Sequence, residues 1–278
     1  MNKLFWKAIQ ENDCRIPEGH TVESLTPELL SFLGSTDPEL RDDLAYAILV
    51  EWVERDLYAP DDLRQMMIGL STNLEFGIGK TESDSVFLRA FSVLALALVV
   101  YYDNKKSFSR PEEIEAIFEK GLQYLVAEKD PRGYVPVKGW AHALAHTADL
   151  LLVLAENQYT DASQHLRILN GIRDKLMAAS NWVYVHGEDD RLSRAVVEIF
   201  RRDTVTETVA RNWLNSFLTP NDGSWKGAWT REESTRAFFN VRNFLRGLYL
   251  KVATENELPL QKELEDMLLD AIQKLRPY

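Results

Sequence analysis

Cysteine is the scarcest resource in this 278-residue sequence. Cys14 stands alone, so no disulfide can form within the chain, which fits a reducing compartment. A long apolar run is also missing. The longest, Ala90 to Tyr102, covers about 13 residues, whereas a bilayer span needs roughly 20. Arg89 and Asp103 close it at either end, so it reads as a buried core helix. The apolar start Leu4-Phe5-Trp6 breaks at Lys7 and Gln10, well short of a secretory h-region. These absences together predict a cytoplasmic protein with no membrane partner. Positive charge is in deficit, 32 basic against 43 acidic side chains for a net of −11, which makes nucleic acid an unlikely partner because polyanions are repelled at long range. Period-two alternation is nearly absent too: Asn181-Trp182-Val183-Tyr184-Val185-His186 is the one strand-like stretch.

Two catalytic signatures fail on inspection. Gly79-Lys80-Thr81 matches the tail of a phosphate-binding loop, but Leu74 stands where the first glycine belongs, and the residues before it read as helix rather than strand. No Gly-x-Ser-x-Gly elbow occurs.

What is present is helical patterning. Apolar residues make up 45% of the chain, enough to bury a large core. Leu4 to Ile9 reads as a short helix. Thr26-Pro27-Glu28 and Asp37-Pro38-Glu39 each place a capping side chain before a proline suited to the first helical position, and predict helices ending near Gly34 and Leu57. Further helices are expected from Pro60 to Phe76, Ser83 or Asp84 to Tyr102, Pro111 to Lys129, Gly139 to Glu156, Thr160 to Ser180, and from about His186 onward. Three more follow: one from Thr204 or Thr206 to Phe217, a long one ending near Ala253, and Leu258 to Leu275. The connections are short. The segment from Gly34 to Val53, with its Asp-Pro turn and early Arg41, resembles the second half of a HEAT-type unit. The expected fold is therefore all-α, a superhelix of stacked helical hairpins in HEAT-like style, with an α/α toroid as the alternative. No linker composition interrupts it, so residues 1–278 read as one domain, with the 130–139 loop a midpoint.

The chemistry-bearing stretch is Gly139-Trp140-Ala141-His142-Ala143-Leu144-Ala145-His146-Thr147-Ala148-Asp149. At about 100° per residue, His142, His146 and Asp149 share an arc of about 60°, opposite Leu144 and Leu151. Two histidines four apart with a nearby carboxylate can hold a divalent transition metal such as zinc, manganese or iron. Ala143 stands where a zinc protease needs its glutamate, which removes that reading. A metal-free polar pocket and an ordinary structural face both stay open, and His186 with Glu188 and Asp189 could add ligands.

Two loops share a pattern. Gly133-Tyr134 is followed by Lys138-Gly139-Trp140, and Gly223-Ser224-Trp225 by Lys226-Gly227-Ala228-Trp229. Each sets glycine, lysine and tryptophan before a helix, where an anion could bind; loops simply anchored by aromatics are the plainer reading. The charge is also uneven: residues 1–130 hold 13 basic and 24 acidic side chains, residues 191–251 hold 11 and 6. In the basic segment Arg242 and Arg246 lie four apart beside Asn243, with Arg236 and Asn240 nearby, Arg191 and Arg194 one turn apart, and Arg201 seven beyond Arg194. They could bind phosphate or carboxylate, or pair with acids on neighbouring helices.

The runs Asp84-Ser85-Val86-Phe87-Leu88-Arg89-Ala90-Phe91-Ser92 and Gly133 to Asp149 resemble a family of bacterial proteins classed as a domain of unknown function. The resemblance implies a bacterial, cytoplasmic, helical protein and supplies no activity. Two functions from different classes stand. One is a scaffold binding a protein, peptide or small anionic ligand in a concave groove, with Lys138, Trp140, His142, His146, Asp149, Arg242 and Arg246 as ligand-binding candidates. The other is a hydrolase-type enzyme with a pocket at His142, His146 and Asp149, metal-assisted or not, in which a histidine acts as general base.

Overall fold

A computed structural model describes residues 1–178, 180–220 and 225–275. The described chain is all-α apart from one two-residue by two-residue hairpin. It divides into two compact units, Met1–Leu150 and Leu151–Tyr278.

The first unit holds α1 (Lys3–Glu11), α2 (Val22–Phe32), a π-helical turn (Glu39–Tyr46) running into α3 (Ala47–Glu54), α4 (Pro60–Asn73), α5 (Ser85–Lys105) and α6 (Pro111–Ala127). Strands β1 (Tyr134–Val135) and β2 (Gly139–Trp140) follow, then the start of α7 (Ala143–Glu156). Helix α5 is the axis of the unit. It is buried on all sides, including Phe87, Phe91, Leu96 and Val100, as expected of a helix with no polar face. By length and composition it is the one described helix apolar enough to cross a membrane, yet 72% of its most apolar window is buried in protein. The core extends from it to Trp6, Trp52 and Phe118, all fully buried.

Capping explains where the helices begin. Helix α2 starts at Val22, not at Pro27 as the sequence led us to expect. Thr21 and Ser24 form a reciprocal capping box, which satisfies two amide donors at once. Pro27 then lies inside the first two turns, and Thr26 turns its hydroxyl to the Val22 carbonyl and to Tyr58 Oη. At the next helix Asp37 does cap as expected, accepting from the Glu39 and Leu40 amides.

The second unit holds α8 (Ala162–Met177), α9 (Glu188–Arg201), α10 (Glu207–Ser216), α11 (Glu232–Thr254) and α12 (Gln261–Lys274), with a short 3-10 turn at Ala228–Thr230. Helix α11 packs against α8, α9 and α12, and Trp213, Phe217 and Phe244 meet edge-on and tilted in the core beside it. The strand-like stretch 181–186 forms no strand. Its backbone bonds instead go to side chains: Asn240 accepts from the Tyr184 amide at 2.9 Å and donates to the Trp182 carbonyl at 3.1 Å, while Ser180 accepts the Trp182 amide and Glu188 the His186 amide. An amide side chain carries one donor and one acceptor group, so it substitutes for a neighbouring strand.

His165 on α8 is fully buried. Its Nε2 faces the Ala155 carbonyl at 3.1 Å and its Nδ1 the Thr204 hydroxyl at 2.6 Å. A carbonyl can only accept, so the Nε2–H tautomer donates there and Nδ1 accepts from Thr204. Burial holds its pKa below the usual 6.5. The unfolded chain therefore takes up a proton that the folded chain refuses. Stability is complete above about pH 6.5 and falls as the pH drops below that value toward the depressed folded pKa. We expect the urea midpoint to decrease between pH 7.5 and 5.5, and His165→Asn to shrink that decrease. An identical decrease in the variant would assign the acid sensitivity to other groups.

Candidate functional site

The hairpin formed by β1 and β2 is exposed at its tip and braced by a buried arginine. Tyr134 pairs with Trp140 and Val135 with Gly139. The turn closes through Lys138 N–H to the Val135 carbonyl at 3.1 Å. Pro136 precedes Val137, whose φ is +68°, which is the type II pattern with valine where glycine or asparagine is favoured. Val137 is 91% exposed at the tip. Gly139 also has a positive φ, and a Cβ there would sit 2.7 Å from Pro38 Cβ. Only glycine allows the hairpin to approach the Asp37-Pro38 turn this closely.

The approach is secured by Arg41. Its side chain is fully buried and donates to the carbonyls of Ser35, Lys138 (2.6 Å) and Trp140 (3.0 Å). The guanidinium lies 4.2 Å from the Phe87 ring centre and 4.8 Å from that of Phe91. Burial pushes its pKa down to about 10, with Asp42 and Asp37 opposing the shift, so it stays charged at neutral pH. A planar donor fork that also stacks on aromatic faces suits this position in a way a lysine does not.

Two further arginines hold the segments feeding the hairpin. Arg89 makes a bidentate pair with Glu128 at 2.6 and 3.0 Å, with side-chain exposures of 0% and 5%. It also donates to the Phe76 and Gly77 carbonyls. Tyr124 donates to the same carboxylate, and the tyrosine's pKa is driven well up by burial and then by the Glu128 charge. Arg132 grips Asp130 at 2.8 and 2.7 Å and the Ser83 carbonyl at 2.9 Å.

The expected histidine site takes a different form. Helix α7 begins at Ala143, so Gly139 and Trp140 are strand and His142 precedes the helix with φ +54°. His142 and His146 are both buried, at 8% and 4% exposure, which corrects the expectation of a polar edge turned away from the apolar side. The helical wheel assumed that one face of α7 meets solvent, whereas residues 141–148 are buried all round. The two rings meet edge-on at 5.7 Å, and His142 stacks on Trp140 at 4.2 Å. His146 Nδ1 lies 3.0 Å from the Ala90 carbonyl, to which it donates. Among the described residues no group of three His, Cys, Asp or Glu side chains is arranged to hold a metal ion. The expected trio of His142, His146 and half-buried Asp149 is thus not assembled as ligands. Glu188, named beside His186, turns back to its own helix start and accepts the His186 amide at 2.8 Å. Burial raises its carboxyl pKa.

Lys138 was expected to attract an anion. Its ammonium instead sits 2.7 Å from both oxygens of Asp84, which neutralises it. In the second unit Arg242 stacks 4.4 Å from the Phe239 ring centre, and Arg246 is exposed. Arg194 pairs with Asp190, Arg201 with Glu198 and Glu255, and Arg236 with Glu232. Arg194, Arg201 and Arg236 thus pair with acids of their own unit. In the second loop Trp225 is a buried anchor, donating to the Phe217 carbonyl at 2.8 Å, while Trp229 is 46% exposed. Gly223 and Ser224 of that loop lie outside the described residues.

Sequence reasoning passed over Val137, Glu128 and Arg132, read Tyr134 only as part of a loop pattern and Arg89 only as the end of an apolar run, and read Arg41 only as a repeat-like residue. The usable signal was Val-Pro-Val-Lys-Gly, a turn composition inside a stretch otherwise assigned to loop and helix.

The fold and the braced hairpin define an all-α protein with a preorganised aromatic surface element. The chain belongs to the family described as Protein of unknown function (DUF2785), whose model matches residues 74–250. That span contains the hairpin, both histidines and the Arg89–Glu128 pair. No curated protein and no solved structure matches the chain.

Proposed function

We propose that this is a binding protein whose recognition element is the hairpin 134–140, presented to a protein or peptide partner. The observation that carries the reading is Val137. A β-branched residue held at positive φ costs about 1–3 kcal/mol, and this one is 91% exposed at a turn tip, where no packing within its own hairpin repays the strain. Tyr134 and Trp140 flank it with their rings 5.1 Å apart and with 52% and 37% of their surfaces exposed. Rigid exposed aromatics are the side chains that most often anchor interfaces, because little rotamer freedom remains to be lost on binding. The brace formed by Arg41 supports the same reading, since a preorganised element binds with less ordering. Stacking of HEAT-type hairpins, a single domain over residues 1–278 and a bacterial cytoplasmic setting belong to this proposal. The buried Arg41 after an Asp-Pro turn supports the first of these.

Val137→Gly tests it. Glycine relieves the turn, and after its own backbone entropy loss the variant should gain about 0.5–1 kcal/mol, seen as a higher urea midpoint. A photoreactive residue at position 137, carried by the full chain in its host, should give a discrete adduct that disappears with Trp140→Ala. Adducts indifferent to Trp140, or matching those from exposed Leu269 on α12, would overturn the proposal.

A further inference from the structure

A second surface lies on the first unit, and none of its lining residues belongs to the hairpin. Helices α4 and α6 run in the same direction with an open trough of about 390 Å³ between them. Their shared direction follows from two ion pairs. Arg64 reaches Glu113 near the start of both helices, and Lys120 reaches Glu75 toward the other end. Between these closures the lining is mainly apolar. Met67 and Ile117 are buried in its floor, and Ile68 stands 61% exposed on its wall. The α4 lining recurs at positions 64, 67, 68, 71 and 72, one stripe of a helix repeated every three or four residues, and Glu75 follows just past the helix end. At 1.5 Å per residue the helical stripe is about 12 Å long, and Glu75 extends the wall by about one further turn.

The shape favours a long occupant. Small-molecule sites enclose most of their ligand, whereas this trough leaves its own isoleucine facing water. Its charge has one sign to offer. The cations at its ends are already committed, Arg64 to Asp61 and Glu113, and Lys120 to Glu75. Glu112 at the rim forms no ion pair among the described residues. Around it, residues 1–150 hold 15 basic and 25 acidic side chains, a net of −10.

We propose that the α4/α6 trough docks an amphipathic helix of a partner protein, about three turns long, apolar on one side and lysine- or arginine-rich on the other. Its apolar face fills the trough over Met67, Ile68 and Ile117, in the manner of helix-in-groove recognition. Its basic residues lie against Glu112 and the acidic field of the unit, which also speeds encounter.

The probe is a fluorescent leucine–lysine peptide of about 14 residues designed as an amphipathic helix, titrated into the full-length protein at physiological salt. Its control is a scrambled peptide of the same composition and charge. We expect the amphipathic peptide to bind at least about tenfold more tightly than the scrambled one. Ile68→Glu and Glu112→Lys should each weaken it by about fivefold to tenfold. Both positions are exposed, so the variants should retain the wild-type circular dichroism spectrum. Hydrogen exchange should slow in segments 64–75 and 112–120 on binding. Equal affinity for the scrambled peptide would show charge attraction alone and overturn the proposal. So would binding unaffected by Ile68→Glu, or protection elsewhere in the chain. Occupancy of the trough by a small apolar dye with no binding of the peptide would overturn it as well.

Discussion

Replacing Arg41 with alanine should destabilise the protein by about 3–5 kcal/mol and lower its melting temperature by about 10 °C. The reasoning is local. Arg41 is the donor to two carbonyls of the hairpin segment and one of the Ser35 turn. Each buried acceptor stripped of its donor costs about 1–3 kcal/mol, and the vacated space beside Phe87 and Phe91 adds a cavity term. Arg41→Lys should recover less than half of the loss. A single ammonium cannot reach Ser35 and the hairpin together, and it has no flat face for the two rings. Urea denaturation followed by tryptophan fluorescence gives the energies. Trypsin gives a second, site-specific reading: cleavage after Lys138 should accelerate in Arg41→Ala well below its melting point, because the hairpin loses its brace. Resistance equal to that of the wild type would mean that the hairpin is held without Arg41.

Breaking the Arg89–Glu128 pair is expected to cost as much. With side chains 0% and 5% exposed, either single replacement, Arg89→Met or Glu128→Leu, strands a buried charge, a loss of about 3–5 kcal/mol. The double replacement removes both charges and fills the space with carbon, so it should be more stable than either single variant by at least about 2 kcal/mol. Against a total folding stability of about 5–15 kcal/mol, the single variants lose a large fraction, and the double variant recovers the stranded-charge part but not the bonds to Phe76, Gly77 and Tyr124. A cycle in which the losses simply add would show that the two groups do not depend on each other. The comparison separates this pair from Arg41, which has carbonyl partners and no carboxylate, and for which no such compensating replacement exists.

How far the sequence could be read differs from element to element. The all-α class and most helix positions were legible, because amphipathic spacing and capping residues are local. Asp37 and Thr206 cap as their positions suggest, and Pro60 and Pro111 open helices at the first position. Helix α2 was misplaced because Thr26-Pro27 reads as a helix start, whereas the reciprocal bonds between Thr21 and Ser24 begin the helix five residues earlier. The hairpin was missed because strands of two residues carry no periodic signal. The histidine helix was found, but its polar edge was sent to the wrong surroundings. A wheel reports which side chains share a direction and is silent about what lies in that direction.

By itself, the sequence determined the helical class, the acidic balance, the core role of the apolar run after Arg89 and the family resemblance. All of these rest on composition or on residues within a turn or two of one another. Only the tertiary structure decided that Arg41 meets Lys138 and Trp140 nearly a hundred positions later, that Lys138 is neutralised by Asp84, and that His142 and His146 are packed inside. It also decided that Tyr134, Val137 and Trp140 are exposed. Those contacts exist because burying the apolar faces of α3 and α5 brings distant loops together. Once there, their carbonyls and charges must find partners in a space that water has left.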